Sequence, residues 1–113
     1  QADKALGLVT DLLHRNEPAL KILATLVGQF RTWTIVKLMI ESGENDNKAI
    51  ALAAGINNPN RLYFIRKEIQ RATTRQFLDT LPLLLELEYN LKIGSDPLAM
   101  IQTKIIELAR NFQ

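Results

Sequence analysis

The sequence predicts an all-α fold, a single compact bundle of five to six helices. Three observations lead there. Apolar residues recur at spacings of three and four through nearly the whole chain. No segment alternates apolar and polar residues as a half-buried strand does, and no Asn-Gly or Asp-Gly hairpin turn occurs. The punctuation also suits helices. Gly43, Gly55 and Gly94 follow periodic runs, and Pro18, Pro59 and Pro97 stand near the starts of others.

The elements follow in order. A first helix is expected over Ala2 to Arg15, with Leu6, Val9, Leu12 and Leu13 on one apolar face. Asn16 can cap the next helix, with Glu17 and Pro18 in its first turn. That second helix should run through Leu20, Leu23, Leu26, Val27, Phe30 and Trp33 to about Glu41. From Trp33 onward it is apolar nearly all round, so it should be the central element, surrounded by the others. The polar turn Glu44-Asn45-Asp46-Asn47 leads into a short third helix, Lys48 to Ala54. A fourth is expected from about Arg61 to Ala72, burying Leu62, Ile65 and Ile69. Thr73 and Gln76 have the spacing of a capping box. The fifth helix carries Phe77, Leu81, Leu84, Leu85, Leu87 and Leu91, with Pro82 expected to kink it or mark its true start. Asp96-Pro97 caps the last, whose seam is Leu98, Ile101, Ile105, Leu108 and Phe112.

Length and composition fit one domain, residues 1–113. With 113 residues, 47% of them apolar, the chain can bury a core without staples. It has no Cys, which excludes disulfides and thiolate metal sites. The 14 basic and 12 acidic residues leave a net charge of +2, a mixed surface that announces neither nucleic acid nor membrane. No signal peptide is legible, and the apolar stretch around Trp33 to Ile40 is too short to span a bilayer. The expected location is the cytoplasm. Gln1 stands directly before a helical pattern, so the chain reads as a C-terminal fragment of a longer one.

Catalytic constellations are missing from the pattern. His14 is the single histidine, three residues after Asp11. The pair has the types of a base and its orienter, but the plainer reading is a surface pair. Ser42 and Ser95 adjoin turn glycines, where serine is ordinary. Glu86 and Glu88 point apart on a helix and cannot share a metal. No glycine-rich phosphate loop exists. The chain reads as a non-enzyme, with no cofactor and no metal.

Two features can bind a partner. Arg61, Arg66, Lys67, Arg71 and Arg75 make a basic run, and Lys67, Arg71 and Arg75 at intervals of four could form one phosphate-binding stripe. A solvated face beside Glu68 is the plainer reading. Tyr63 and Phe64 cannot both face one core, so one of them is a candidate interface anchor. Leftover apolar surface is expected at Leu83 and Leu87 of the fifth helix and at Met100 and Ile106 of the last. A short helix over Ile50–Ala54, Gly55 and a basic helix also outline a helix-turn-helix. DNA binding through that segment and Arg61, Lys67, Arg71 and Arg75 is the alternative reading.

The order of these pieces resembles a known family. The pieces are Ala5-Leu6-Gly7-Leu8-Val9 with Asp11-Leu12-Leu13, then Asn16-Glu17-Pro18 and Leu20 to Leu26. Gln29-Phe30-Arg31 and Val36-Lys37 come next, followed by Ile50 to Ile56 and by Glu86 to Gly94 with Asp96-Pro97. Over almost its whole length the chain resembles the C-terminal region of the delta subunit of the bacterial DNA polymerase III clamp loader. The Asn-rich turn after Gly55 and the proline at 82 depart from that pattern. The resemblance implies a collar domain that packs beside the helical domains of the delta prime and gamma/tau subunits. It also implies a preceding AAA+-like module, outside this sequence, that contacts the sliding clamp without hydrolysing ATP. Any contact of the collar with DNA would then be weak or indirect, and none with a membrane is implied.

Overall fold

The computed structural model describes residues 18–94 and 96–113. The expected first helix, the Asp11–His14 pair, the Asn16 cap and Ser95 lie outside the described residues. Within them the chain forms α1 (Ala19–Glu41), α2 (Asn47–Ala54), a 3-10 turn (Pro59–Arg61), α3 (Leu62–Ile69), α4 (Thr74–Lys92) and α5 (Pro97–Asn111). No strand occurs among the described residues. The fold is an all-α bundle, as the periodicity predicts.

Helix boundaries follow local chemistry. Asp46, Asn58 and Asp96 each accept a hydrogen bond from the backbone N–H two residues on, opening α2, the 3-10 turn and α5. At the start of α4 the predicted capping box is complete. Gln76 N–H donates to Thr73 Oγ1 at 3.1 Å, and Thr73 N–H donates to Gln76 Oε1 at 2.9 Å. The end of α1 is a Schellman motif: Glu44 N–H reaches Met39 O and Gly43 N–H reaches Ile40 O. Gly43 sits at φ +97°, a conformation that costs a side-chain-bearing residue about 1 kcal/mol or more.

Two boundaries differ from expectation. α3 ends at Ile69, not near Ala72. Thr73 is extended (φ −101°, ψ 158°) and gives its N–H to Gln76, so it does not bond back to Ile69, and Lys37 on α1 donates from Nζ to the end carbonyls of Ile69 and Gln70. Three residues later the Thr73 box starts α4 in a new direction. The second difference is Pro82, which neither starts nor breaks α4. Its ring lies at an exposed position and forfeits one backbone bond. Phe77, Thr80, Leu84 and Leu87 on the opposite side are buried before and after it, and their packing holds the helix through the proline.

Packing contacts set the topology. Thr74 Oγ1 at the start of α4 donates to Glu41 at the end of α1, and Phe77 lies against Trp33. α4 is therefore antiparallel to α1. Asn111 Nδ2 donates to Gln76 O at one end of α5, and Asn90 meets Met100 at the other, so α5 is antiparallel to α4. α2 and α3 cover the C-terminal half of α1. α1 touches every other described helix, but these do not surround it. Ile35, Met39 and Ile40 are half-buried and Leu38 is exposed. The described helices are too few to enclose a rod about 35 Å long, at about 1.5 Å per residue.

The three long helices meet at an aromatic cluster. Phe30 packs edge-on to Trp33 at 5.2 Å, Trp33 lies 6.4 Å from Phe77, and Phe112 closes the group at 5.2 Å from Phe77. Trp33 is fully buried, and its indole N–H finds no acceptor among the described residues. An unpaired buried donor costs about 1–3 kcal/mol. The ring's area and contacts must outweigh that cost for tryptophan to be favourable here. Trp33→Ala is expected to lower the unfolding free energy by about 3–5 kcal/mol, the range for a truncated core aromatic. Urea denaturation followed by circular dichroism measures it, and a loss under about 1 kcal/mol would contradict this view of the core.

Candidate interaction surface

The exposed apolar side chains are the most informative surface feature. α4 buries Phe77, Thr80, Leu84 and Leu87 at spacings of three and four. That phase leaves Leu78, Leu81, Leu85 and Tyr89 on an outward stripe with the same spacings. Of the expected leftover residues, Leu87 alone lies on the buried face. Leu87 is 0% exposed and belongs to the core, whereas Tyr89 two residues on is 64% exposed. Leucines stand on both faces of α4, so hydrophobicity alone does not fix its phase, and contact with Trp33 and α5 does. Leu83 is half-buried against the core. Met100 is half-buried too, with its sulfur 3.5 Å from Asn90 Nδ2. Ile106 is exposed, as expected, and Leu98, expected in the seam, is also exposed.

On α3 the buried face is Leu62, Ile65 and Ile69. Tyr63 and Phe64 fall outside it and both stand in solvent, edge to face at 5.3 Å. Lys67 Nζ lies 4.4 Å above the Tyr63 ring, a cation–π arrangement that holds the tyrosine in place.

The basic run is not one stripe. Arg61 belongs to the 3-10 turn, Lys67 to α3, Arg71 to the following turn and Arg75 to the first turn of α4. Because α3 ends at Ile69, the interval of four carries no shared face. Arg75 is also paired, with Nε 3.2 Å from Asp79. Instead, Lys37, Arg66 and Lys67 border an open recess of about 410 Å³ with Tyr63 and Ile40. Arg66 there donates to Asn47 Oδ1 at 2.9 Å.

A second recess, about 270 Å³, runs between α1 and α4. Val27, Phe30, Ile35, Leu78, Leu81 and Leu84 make it apolar, and Arg31 stands on its wall. No group of three or more potential metal ligands is found among the described residues. No described helix is long and apolar enough to cross a membrane.

One charged residue was missed in the sequence. Lys104 on α5 has a side chain only 2% exposed, and its ammonium lies 2.8 Å from Glu86 and 3.1 Å from Glu107. Burial alone would push its pKa down. Hydrogen bonds and charge from the two carboxylates outweigh that and hold it above the ordinary lysine value. The available signal was a lysine three residues after Ile101 and four before Leu108, on the apolar face, with Glu107 one turn away.

Comparison with known proteins gives one match. The family model of the DNA polymerase III delta subunit, C-terminal domain, matches residues 1–108. No curated protein and no solved structure matches.

The raised pKa of Lys104 sets a pH window. A group whose folded-state value lies above its unfolded value contributes stability that is complete below the unfolded value, 10.5, and lost as pH rises through the folded one. Replacing the buried cation by Lys104→Met should change stability at pH 7 by less than about 2 kcal/mol. Above pH 10.5 the wild type should lose stability relative to the variant. Urea titrations of both proteins at pH 7 and pH 11 measure the difference, and a constant gap would contradict the assignment.

Proposed function

We propose that this chain, which belongs to the family of C-terminal domains of the DNA polymerase III delta subunit, serves as a collar that holds the clamp-loader subunits together. The family is a non-catalytic component of the clamp loader. The family match over residues 1–108 supports assembly with other loader subunits. The observation that carries the finer reading is the surplus of large apolar side chains facing outward. A monomer exposes such residues singly, whereas contiguous stripes mark protein interfaces.

Two sites supply the anchors. Tyr63 and Phe64 form a rigid aromatic knob on α3. Leu85 and Tyr89 make the lower end of the α4 stripe. Aromatic anchors in apolar surroundings dominate interface energetics. Ile106 offers a third contact on α5. Leu83 and Met100 are poorer positions, because they already pack against the core, and charging them would unfold the bundle rather than detach a neighbour. The subunits facing these anchors would be delta prime and gamma/tau. Such a domain acts in the cytoplasm, where replication takes place.

The basic recess of Lys37, Arg66 and Lys67 favours a second reading, DNA binding. Phosphate-driven affinity falls steeply with salt, and apolar packing between subunits does not. The two readings therefore separate in one experiment. Tyr63→Glu with Phe64→Glu, and Leu85→Glu with Tyr89→Glu, are each expected to weaken capture of the other loader subunits by about tenfold or more, equivalent to about 1.4 kcal/mol. The circular dichroism spectrum should stay unchanged. Undiminished capture by both double variants would overturn the collar assignment. Tight duplex binding that collapses between about 50 and 200 mM salt would favour the DNA reading.

A further inference from the structure

The three cations of the recess between α1 and α3 are each held by a neutral group. Lys37 Nζ donates to the carbonyls of Ile69 and Gln70, and Arg66 donates to Asn47 Oδ1. Lys67 Nζ stands 4.4 Å from the centre of the Tyr63 ring. These contacts orient the side chains and leave their charge in place. No carboxylate forms an ion pair with Arg66 or Lys67 among the described residues. Lys37 lies 3.9 Å from Glu41, a long pair, and that carboxylate also accepts from Thr74. Cations fixed in advance lose little rotamer freedom when an anion arrives.

The same recess has an apolar part. Half-buried Ile40 and exposed Tyr63 lie among the cations. A phosphate backbone is bound by cations spaced along its length, and aliphatic surface adds nothing to that attraction. Here the cations converge on one recess of about 410 Å³, and Arg61, Arg71 and Arg75 lie outside it. Concentrated positive charge around an apolar patch suits a protein segment that carries both an acid and an apolar side chain.

We infer that the recess receives an acidic segment of a neighbouring protein subunit. An Asp or Glu of that segment meets Arg66 and Lys67, and an apolar side chain beside it rests on Ile40 and the Tyr63 ring. The inference rests on the collar reading and names the chemistry of the segment that α3 meets. It gives the aromatic knob a charged border. Buried aromatic anchors supply affinity, and complementary charge around them selects the partner and fixes its register.

Carbodiimide coupling tests the chemistry directly, because it joins a lysine amine to a carboxylate in contact with it and leaves no spacer. In the assembled clamp loader containing this chain, it should link Lys67 to an Asp or Glu of another subunit, identified by mass spectrometry of the digested product. Lys67→Arg keeps the charge and removes the amine. It should abolish the link and leave capture of the other subunits within about twofold. Lys67→Glu should weaken capture by about tenfold or more with an unchanged circular dichroism spectrum. Arg61→Glu, outside the recess, should stay within about twofold.

Normal assembly with no link at Lys67 and undiminished capture by Lys67→Glu would overturn the inference and leave the collar reading standing. Failure of the wild-type chain to join the other subunits would overturn both. Undiminished capture by Lys67→Glu together with a loss of duplex affinity would overturn the inference in favour of DNA phosphate.

Discussion

Contact between Trp33 and Phe77 fixes the register between α1 and α4, and the rest of the surface follows from it. The two helices carry more apolar residues than one face can hold. Once Phe77 packs beside Trp33, the positions at spacings of three and four from it turn inward, and Leu84 and Leu87 join the core. Leu81 and Leu85 are then rotated outward with no further choice. Phe112 of α5 completes the cluster from the third side. The indole N–H is left unpaired among the described residues, so apolar contact rather than hydrogen bonding holds the ring in position.

The outward stripes therefore have a structural origin. A helix with leucines all round is stable only where every side finds a partner. In a domain of this size the described helices do not supply enough partners, and apolar surface remains on α1, α3 and α4. Membership in the delta subunit family implies interaction with other clamp-loader subunits.

Polar chemistry serves the same packing. Lys104 is enclosed between α4 and α5, where its stem adds apolar area and its ammonium is held by Glu86 from one helix and Glu107 from its own. Lys37 does comparable work between α1 and the end of α3. Both tie one helix to the next.

The sequence by itself determined the helical class, the stop glycines, the Asp and Thr caps and most of the buried set. These are decided within one or two turns of chain, by backbone hydrogen bonding and by period. It also determined the family, through the order of its Leu-rich segments. Tertiary structure alone decided the phase of α4 and the burial of Lys104. Each depends on a residue distant in the chain: Trp33 sets Leu87 inside and Tyr89 outside, and Glu86 makes a buried cation tolerable. The basic residues show the same limit. An interval of four reads as a stripe only if the helix continues, and α3 ends at Ile69.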